Sequence, residues 1–450
     1  MPADALQGGQ TVPGGPPLLL SGARLPDGRV VDVRISGERI EAVGTAGSLT
    51  APERLDLTGY LLLPAPVEAH AHLDEAFTAT PGCAPAGTGG NGGGRRCLES
   101  LQRRITEAAL CGLGYGATVQ RTHVRVGGGH GLTAVTAALQ AARALHGLME
   151  LQVVALPGLL AGVAGADGRA VLRESLAMGA HAVGGRPDLD PDPDGHVAAV
   201  VALAEEWRRP VDLHTQAADP VRLARLASAL GPLRPGAVIG PCAALGLMPP
   251  EVAGRSVELL ASAGVFVVAL PQSWACVGAG ACVGVGVGLG AEVGTGAGVR
   301  AVGGSQSPPG AGRTAWPVPV RLLRTGGVRI AAGSGALRDA ANPVGRVDPL
   351  EAAFLLAASG ELDQTAAYET VSGTARAALG LPAVQVAAGF PADILAVRGD
   401  CLRGVLSAGH SRVVLRGGRV VSRTSAVREF AEATVPAVPR QGRSGPLCPD

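Results

Sequence analysis

The sequence contains no lysine, and all 38 of its basic residues are arginine. This absence excludes a Schiff-base lysine, a phosphate-loop lysine and a carbamylated lysine that bridges two metal ions. A metal site in this chain is therefore expected to hold a single ion. Aromatic residues make up only 2% of the chain, whereas hydrophobic residues make up 47%. Alanine, valine and leucine must therefore fill any large core.

The sequence also lacks the patterns typical of zinc fingers, nucleic-acid binding and membrane insertion. Its eight cysteines include no CxxC pair, and its net charge of +1 gives no electrostatic basis for binding nucleic acid or an anionic membrane. No apolar run reaches about 18 residues, and no basic-then-apolar signal opens the chain. We therefore expect a cytoplasmic protein with a small-molecule substrate or ligand, and we leave homo-oligomer formation open.

The middle of the chain alternates apolar, strand-like runs with helical stretches. Eight strands that are each followed by a helix are typical of a parallel, TIM-type (β/α)8 barrel, which we predict over residues 61–380. The 450 residues suffice for such a barrel of roughly 250 residues with additions. The strand-like runs are Tyr60–Pro64, Thr118–Val126, Leu151–Leu156, Ala180–Val183, Val211–His214, Ala237–Ile239, Val265–Leu270 and Val328–Ala332.

The two ends of the chain carry shorter strand-like runs separated by turn signals such as Asp27-Gly28 and Gly417-Gly418. They predict one small β-sandwich domain formed by residues 18–60 and 381–425. We expect the leader, 1–17, and the tail, 426–450, to be disordered. The Gly-rich stretch 277–313 is predicted to be a low-complexity insert over the catalytic face of the barrel.

A pair of histidines, His70 and His72, is the strongest candidate for a functional site. Side chains at i and i+2 of a strand point to the same face, so both imidazoles are aimed at one place. Imidazole is the commonest protein ligand for a divalent transition metal. The pair therefore predicts a metal site at the mouth of the barrel.

Other histidines end later barrel strands, whose carboxyl ends meet at the same mouth. His214 ends the fifth strand, and we predict it as the third metal ligand. His123 ends the second strand and is left open between supporting the site and a structural role, while Asp74 lies two residues after His72. His181 opens a strand at the opposite end of the barrel. The remaining histidines are expected to be solvated: His130, His146, His196 and His410.

The chain resembles the amidohydrolase superfamily, and within it the cytosine deaminase-like branch. The resemblance covers about residues 18–425. It implies a hydrolase in which one iron or zinc ion activates water against a non-peptide C–N bond, with His70, His72 and His214 as ligands. His123 and Asp74 would then support the ligands or contact the substrate. The motifs that carry the resemblance are His70–Asp74, Arg121–Val124, Leu151–Pro157, Val211–Thr215, Ala341–Gly345 and Phe390–Val397.

Three positions depart from the family pattern. The proton-shuttling glutamate expected three residues after His214 is Ala217, the histidine expected after the sixth strand is Pro241, and the aspartate of the eighth strand is Gly335. Loss of a general acid or base costs on the order of 10²- to 10⁴-fold in rate. The sequence therefore leaves two hypotheses open: a C–N hydrolase with weak or altered activity, or an inactive relative that binds a ligand or partner.

Overall fold

The two ends of the chain meet in one mixed β-sheet. The computed structural model describes residues 15–79, 97–234, 236–272 and 318–427. The strands of this sheet are β1 (Leu18–Arg24), β2 (Val30–Ser36), β3 (Arg39–Thr45), β4 (Glu53–Asp56), β5 (Tyr60–Pro64), β14 (Ile394–Arg398), β15 (Arg412–Arg416) and β16 (Arg419–Thr424). Their order is β16-β15-β14-β5-β1-β2-β3, with β4 beside β1. Antiparallel pairing of β5 with β14 joins the N-terminal strands to the C-terminal ones.

Eight parallel strands form the second sheet, and they follow one another around a barrel in chain order. This confirms the predicted (β/α)8 architecture. One strand was predicted wrongly: Tyr60–Pro64 belongs to the mixed sheet, and the first barrel strand is the histidine-bearing segment itself. The barrel strands are β6 (Val67–Ala71), β7 (Val119–Arg125), β8 (Glu150–Leu156), β9 (Ala182–Gly185), β10 (Val211–Thr215), β11 (Ala237–Pro241), β12 (Phe266–Ala269) and β13 (Arg329–Ala332).

Helices pack around the barrel, and three of them begin at an Asp-Pro pair. Asp192, Asp219 and Asp348 each accept a hydrogen bond from a backbone N–H of the first turn, and the following proline fits the first helical position. The helices are α1 (Leu98–Gly114), α2 (Thr133–Ala144), α3 (Ala166–Met178), α4 (Pro193–Trp207), α5 (Pro220–Leu230), α6 (Pro250–Ala263), α7 (Val320–Thr325), α8 (Pro349–Ala358), α9 (Gln364–Val371), α10 (Gly373–Ala378) and α11 (Leu402–Ala408). Among these described helices, none has both the length and the apolar character needed to cross a bilayer.

Small apolar side chains fill the barrel interior, as the scarcity of aromatic residues predicts. The only aromatic side chain in this interior cluster of described residues is Phe266. Residues at the end of α10 close one end of the barrel. The cluster comprises Val67, Ala69, Val119, Val238, Phe266, Val268, Leu270, Ala331, Ala375, Ala378 and Leu379.

The barrel closes between its first and last strands through a buried carboxyl group. Glu68 accepts hydrogen bonds from the backbone N–H of His70 at 3.0 Å, and from the backbone N–H and hydroxyl of Ser334 at 2.9 and 2.7 Å. Gly335 continues the seam, because its N–H donates to His70 O at 2.9 Å and its carbonyl accepts from His72 N at 3.1 Å. The Glu68 side chain thus satisfies backbone donors that a regular ladder would otherwise pair.

A buried ion pair fastens the β domain to the barrel. Arg412 of β15 donates to both oxygens of Asp348 at 2.8 and 2.9 Å, and to the backbone carbonyl of Tyr115 at 2.7 Å. Asp348 is the same residue that caps α8. The predicted insert 277–313, residues 1–14 of the leader and residues 428–450 of the tail lie outside the described residues.

Candidate metal centre

An irregularity in the first barrel strand turns His70 and His72 toward the barrel interior. Val67 and Ala69 face the interior core, whereas Ala71 packs into the outer core against the helices. Simple alternation would keep 67, 69 and 71 on one face. The pairing of β6 with β7 shifts register between residues 68 and 71, and a shift of this kind re-aims side chains.

Four imidazoles converge at the carboxyl end of the barrel strands. The ring centroids of His70, His123 and His214 lie 4.0, 4.6 and 4.8 Å apart. One ring nitrogen of each of these three residues lies within 4.8 Å of the other two. His72 lies at the edge of this group, with centroid distances of 5.2 to 5.6 Å. We call His70, His72, His123 and His214 the histidine cluster.

His72 has a defined tautomer. Its Nδ1 lies 3.1 Å from the backbone carbonyl of His123, which can only accept, so Nδ1 carries the proton and donates it. The lone pair is then on Nε2, which lies 3.2 Å from His214 Nε2. Two nitrogens bound tetrahedrally to one zinc ion at about 2.0–2.1 Å lie about 3.3 Å apart. The observed separation therefore suits either a shared proton or a shared ion.

His70, His72 and His214 are held in their neutral form. Burial, reinforced by the neighbouring histidines, lowers the pKa of His70 and His214 well below the ordinary value. Burial also lowers the pKa of His72 to about 4, against an opposing effect of the Glu75 charge. Neutral imidazoles present lone pairs, which is the state that binds metal.

Several buried ring nitrogens of the cluster have no hydrogen-bond partner among the described residues: His70 Nε2, His123 Nδ1 and Nε2, and His214 Nδ1. Buried polar atoms are normally satisfied, so unpartnered ones require an explanation. Converging nitrogen donors without protein partners fit a divalent transition-metal ion. The donor set of this site therefore suits the predicted cofactor.

A buried polar network lies directly beneath the cluster. Asp212 Oδ1 is 3.1 Å from His123 Nε2, without the alignment of a full hydrogen bond, and Asp212 Oδ2 accepts from Arg121 at 3.0 Å. Gln152 Oε1 accepts from Arg121 at 2.7 and 3.1 Å. Burial alone would raise the pKa of Asp212, but His123 and Arg121 together lower it. Asp212 is therefore a carboxylate.

The sequence analysis overlooked this network, although a signal for it was present. Asp212 stands two residues before His214 and Arg121 two residues before His123, each inside a buried strand. The i and i+2 rule that pairs His70 with His72 also places these charges on the face of their histidines.

Comparison with known proteins identifies the family, although no protein-family profile matches the chain. The chain is 26% identical to a pterin deaminase of Rhizobium rhizogenes strain K84 over 420 residues, which cover 87% of this chain and 88% of that one. It is 29% identical to N-isopropylammelide isopropyl amidohydrolase of Pseudomonas sp. strain ADP over 204 residues, 41% of this chain and about half, 49%, of that relative. A crystal structure of N-isopropylammelide isopropylaminohydrolase from Burkholderia multivorans superposes with a TM-score of 0.72 at 25% identity, covering 91% of this chain and 98% of that one.

The chain belongs to the amidohydrolase superfamily. Its two sequence relatives are named as an amidohydrolase and a deaminase, which are enzymes that hydrolyse C–N bonds.

This amidohydrolase has no functional side chain at the three departing positions. Ala217 is buried in the loop after β10 with a φ of 55°, and its N–H donates to Thr215 Oγ1 at 3.0 Å. Pro241 ends β11 after a cis peptide bond. Gly335 closes the seam in a left-handed conformation with a φ of 78°. None of the three supplies an acid, a base or a ligand.

Four carboxyl groups follow the barrel strands near the cluster, and three of them have partners. Glu75 pairs with Arg125 at 3.0 Å, Asp188 accepts from the Thr215 hydroxyl and the Gln216 N–H, and Asp339 accepts from the N–H groups of Ala341 and Asn342. The fourth, Asp74, is buried, and its Oδ1 has no partner among the described residues. Burial, and next the charge of Glu75, raises the pKa of Asp74 to about 7.

Two histidines outside the cluster are held by their own partners. His196, expected to be solvated, is buried: its Nδ1 donates to Asp190 at 3.0 Å, and its Nε2 accepts from the Arg186 N–H at 3.1 Å. The prediction that His196 is solvated was therefore wrong, because Asp190, which precedes helix α4, gives the histidine a buried hydrogen-bond partner. His181 lies before β9, away from the cluster, and its Nδ1 accepts from the Val153 N–H at 3.0 Å.

Proposed function

We propose that this amidohydrolase hydrolyses a C–N bond of a small nitrogen heterocycle, using a divalent ion held by the histidine cluster. The observation that supports this is the convergence of four imidazoles, those of His70 and His123 buried and those of His72 and His214 partly buried, at the carboxyl end of a parallel barrel, where active sites of such barrels lie. A divalent ion in such a site supplies Lewis acidity, which makes water a nucleophile at neutral pH.

The protein's own residues divide the remaining tasks. His70, His72 and His214 bind the ion, and the backbone carbonyl of His123 fixes the orientation of His72. Asp74 moves protons, because it is the carboxyl group at the mouth that is buried and has an unpartnered oxygen among the described residues. It thereby takes over the task for which Ala217 has no side chain.

The relatives suggest which rings to test first. Two are named for N-isopropylammelide, an N-alkylated triazine, and one for pterin. We propose that the substrate is a ring of this kind, with an exocyclic amine as the leaving group. The departures at Ala217, Pro241 and Gly335 favour weak or altered activity, since each loss of a proton-transfer group costs on the order of 10²- to 10⁴-fold.

The same departures favour a second candidate function, an inactive protein that retains the fold to bind a ligand. The two functions differ in turnover and share ligand binding. A ring that binds without reacting would satisfy the second function and contradict the first.

The deciding experiment measures product release and binding in parallel. Purified protein, stripped of metal and then loaded with zinc or iron, is incubated with N-alkylated aminotriazines, pterins, nucleobases and creatinine-like rings, and amine or ammonia is quantified. Release by loaded protein, absent in stripped protein and in His214→Ala, supports the hydrolase. Calorimetric binding without release supports the inactive binder, and failure to bind metal contradicts the hydrolase.

A further inference from the structure

We propose that His123 would itself be a metal ligand, through Nδ1, and that it would supply a ligand in place of the side chain that Gly335 does not offer. Asp212 orients this ligand from below. The inference rests on the proposed metal-dependent function. It adds to the metal ligands a residue for which the sequence pattern predicted only a supporting or a structural role.

The first argument is the shape of the cluster. One ring nitrogen of each of His70, His123 and His214 lies within 4.8 Å of the other two, and His123 stacks on His70 with ring centroids 4.0 Å apart. His72 lies farther from His70 and His123 than they lie from each other. An ion within reach of His70 and His214 is therefore also within reach of His123.

The second argument is that the two ring nitrogens of His123 have different surroundings. Nε2 faces Asp212 Oδ1 at 3.1 Å, so Nδ1 is the nitrogen left for an ion. Nδ1 is buried and has no partner among the described residues. Ligand histidines commonly place the second nitrogen against a carboxylate, which fixes the ring and strengthens the donor.

The third argument is that Asp212 is well placed to orient a ring. It is fully buried and anchored by Arg121, which is anchored in turn by Gln152. A carboxylate held this firmly fixes the ring that it contacts. The resulting donor set contains only imidazole nitrogens, which favours zinc, copper or nickel over manganese or magnesium.

The test compares metal affinity in four variants of the full-length protein. Metal-stripped samples are titrated with Zn(II) against a chromophoric chelator, and with Co(II), whose visible absorption reports the ligand number. His123→Gln retains a polar group near Asp212 and removes Nδ1. Asp212→Asn weakens the orientation of the ring, and His196→Gln alters a matched buried histidine–aspartate pair outside the cluster. His214→Ala removes a ligand already assigned.

We expect His123→Gln to weaken Zn(II) binding by at least the 10- to 100-fold that loss of an outer partner costs, and to change the Co(II) absorption. Asp212→Asn should weaken binding about 10- to 100-fold without a change in ligand number. His196→Gln should bind with wild-type affinity.

Wild-type affinity and absorption in His123→Gln would overturn the inference, and if that variant does not fold, wild-type affinity in Asp212→Asn would do so. Loss of metal in His214→Ala alone would leave the proposed function standing without this ligand. A wild-type protein that binds no metal would overturn both.

Discussion

His72 Nε2 and His214 Nε2 lie 3.2 Å apart, although His72 directly follows the first strand of the barrel, His214 lies in the fifth, and 142 residues separate them in sequence. Because His72 donates through Nδ1, its Nε2 offers a lone pair to whatever lies between the two rings. Without an ion, His214 must contribute a proton from Nε2; with an ion, both nitrogens become ligands. The contact therefore couples metal binding to the packing of segments that lie apart in the barrel.

This coupling predicts that metal stabilises the fold. At a free zinc concentration 100 times the dissociation constant, binding to the native state alone adds about 2.7 kcal/mol to the free energy of unfolding. We expect chelator-stripped protein to unfold at lower urea concentration than zinc-loaded protein, and His214→Ala to show no difference between the two states. Equal urea midpoints for stripped and loaded wild type would contradict the prediction.

The seam between β6 and β13 yields a prediction about Glu68. Glu68→Ala would leave the buried N–H groups of His70 and Ser334 without their acceptor. Each unsatisfied buried donor costs roughly 1–3 kcal/mol, so we expect the two N–H groups together to lower the free energy of unfolding of metal-free protein, measured in urea, by roughly 2–6 kcal/mol. Glu68→Gln keeps one acceptor oxygen and should lose less. Equal stability of the two variants would show that these bonds do not close the barrel.

Sequence alone predicted seven of the eight barrel strands, because most of these are buried, largely apolar runs that alternate with helical stretches. It failed at Tyr60–Pro64, whose apolar residues suit either sheet equally. Only the pairing of this strand with β14, more than 300 residues away, decides the matter. Such a pairing is a tertiary choice that local pattern does not encode.

At the candidate site, too, local pattern and tertiary contact carry different information. The spacing of His70 and His72 predicted a shared face, but not that a register shift would turn that face inward. The position of His123 is supported by Asp212 of β10, three strands away around the barrel, which lies 3.1 Å from His123 Nε2 and is itself held by Arg121 of β7. These are contacts between strands, and no single segment contains them.

Asp74 leads to a prediction about turnover. If it moves protons in the proposed reaction, Asp74→Asn should lower kcat by about 10²- to 10⁴-fold while zinc affinity stays at the wild-type value. Glu75→Gln is the matched control, since Glu75 is the adjacent carboxyl but is already paired with Arg125. Once a substrate is found, steady-state kinetics on both variants decide the role. A kcat of Asp74→Asn equal to that of Glu75→Gln would exclude Asp74.

The protonation of His181, which lies outside the histidine cluster, leads to a prediction about how the free energy of unfolding depends on pH. Burial lowers the pKa of His181, and its Nδ1 accepts a hydrogen bond from Val153 N–H, which protonation would abolish. The unfolded chain therefore binds a proton more readily than the folded one, so this contribution to stability is present above about pH 6.5 and is lost as the pH falls below it.

A His181→Asn variant tests this prediction, because asparagine carries an acceptor oxygen near the position of Nδ1 and does not titrate. We expect His181→Asn, unfolded in urea between about pH 5 and pH 8 without metal, to lose less stability on acidification than wild type. Parallel pH curves for the two proteins would show that His181 does not titrate with folding.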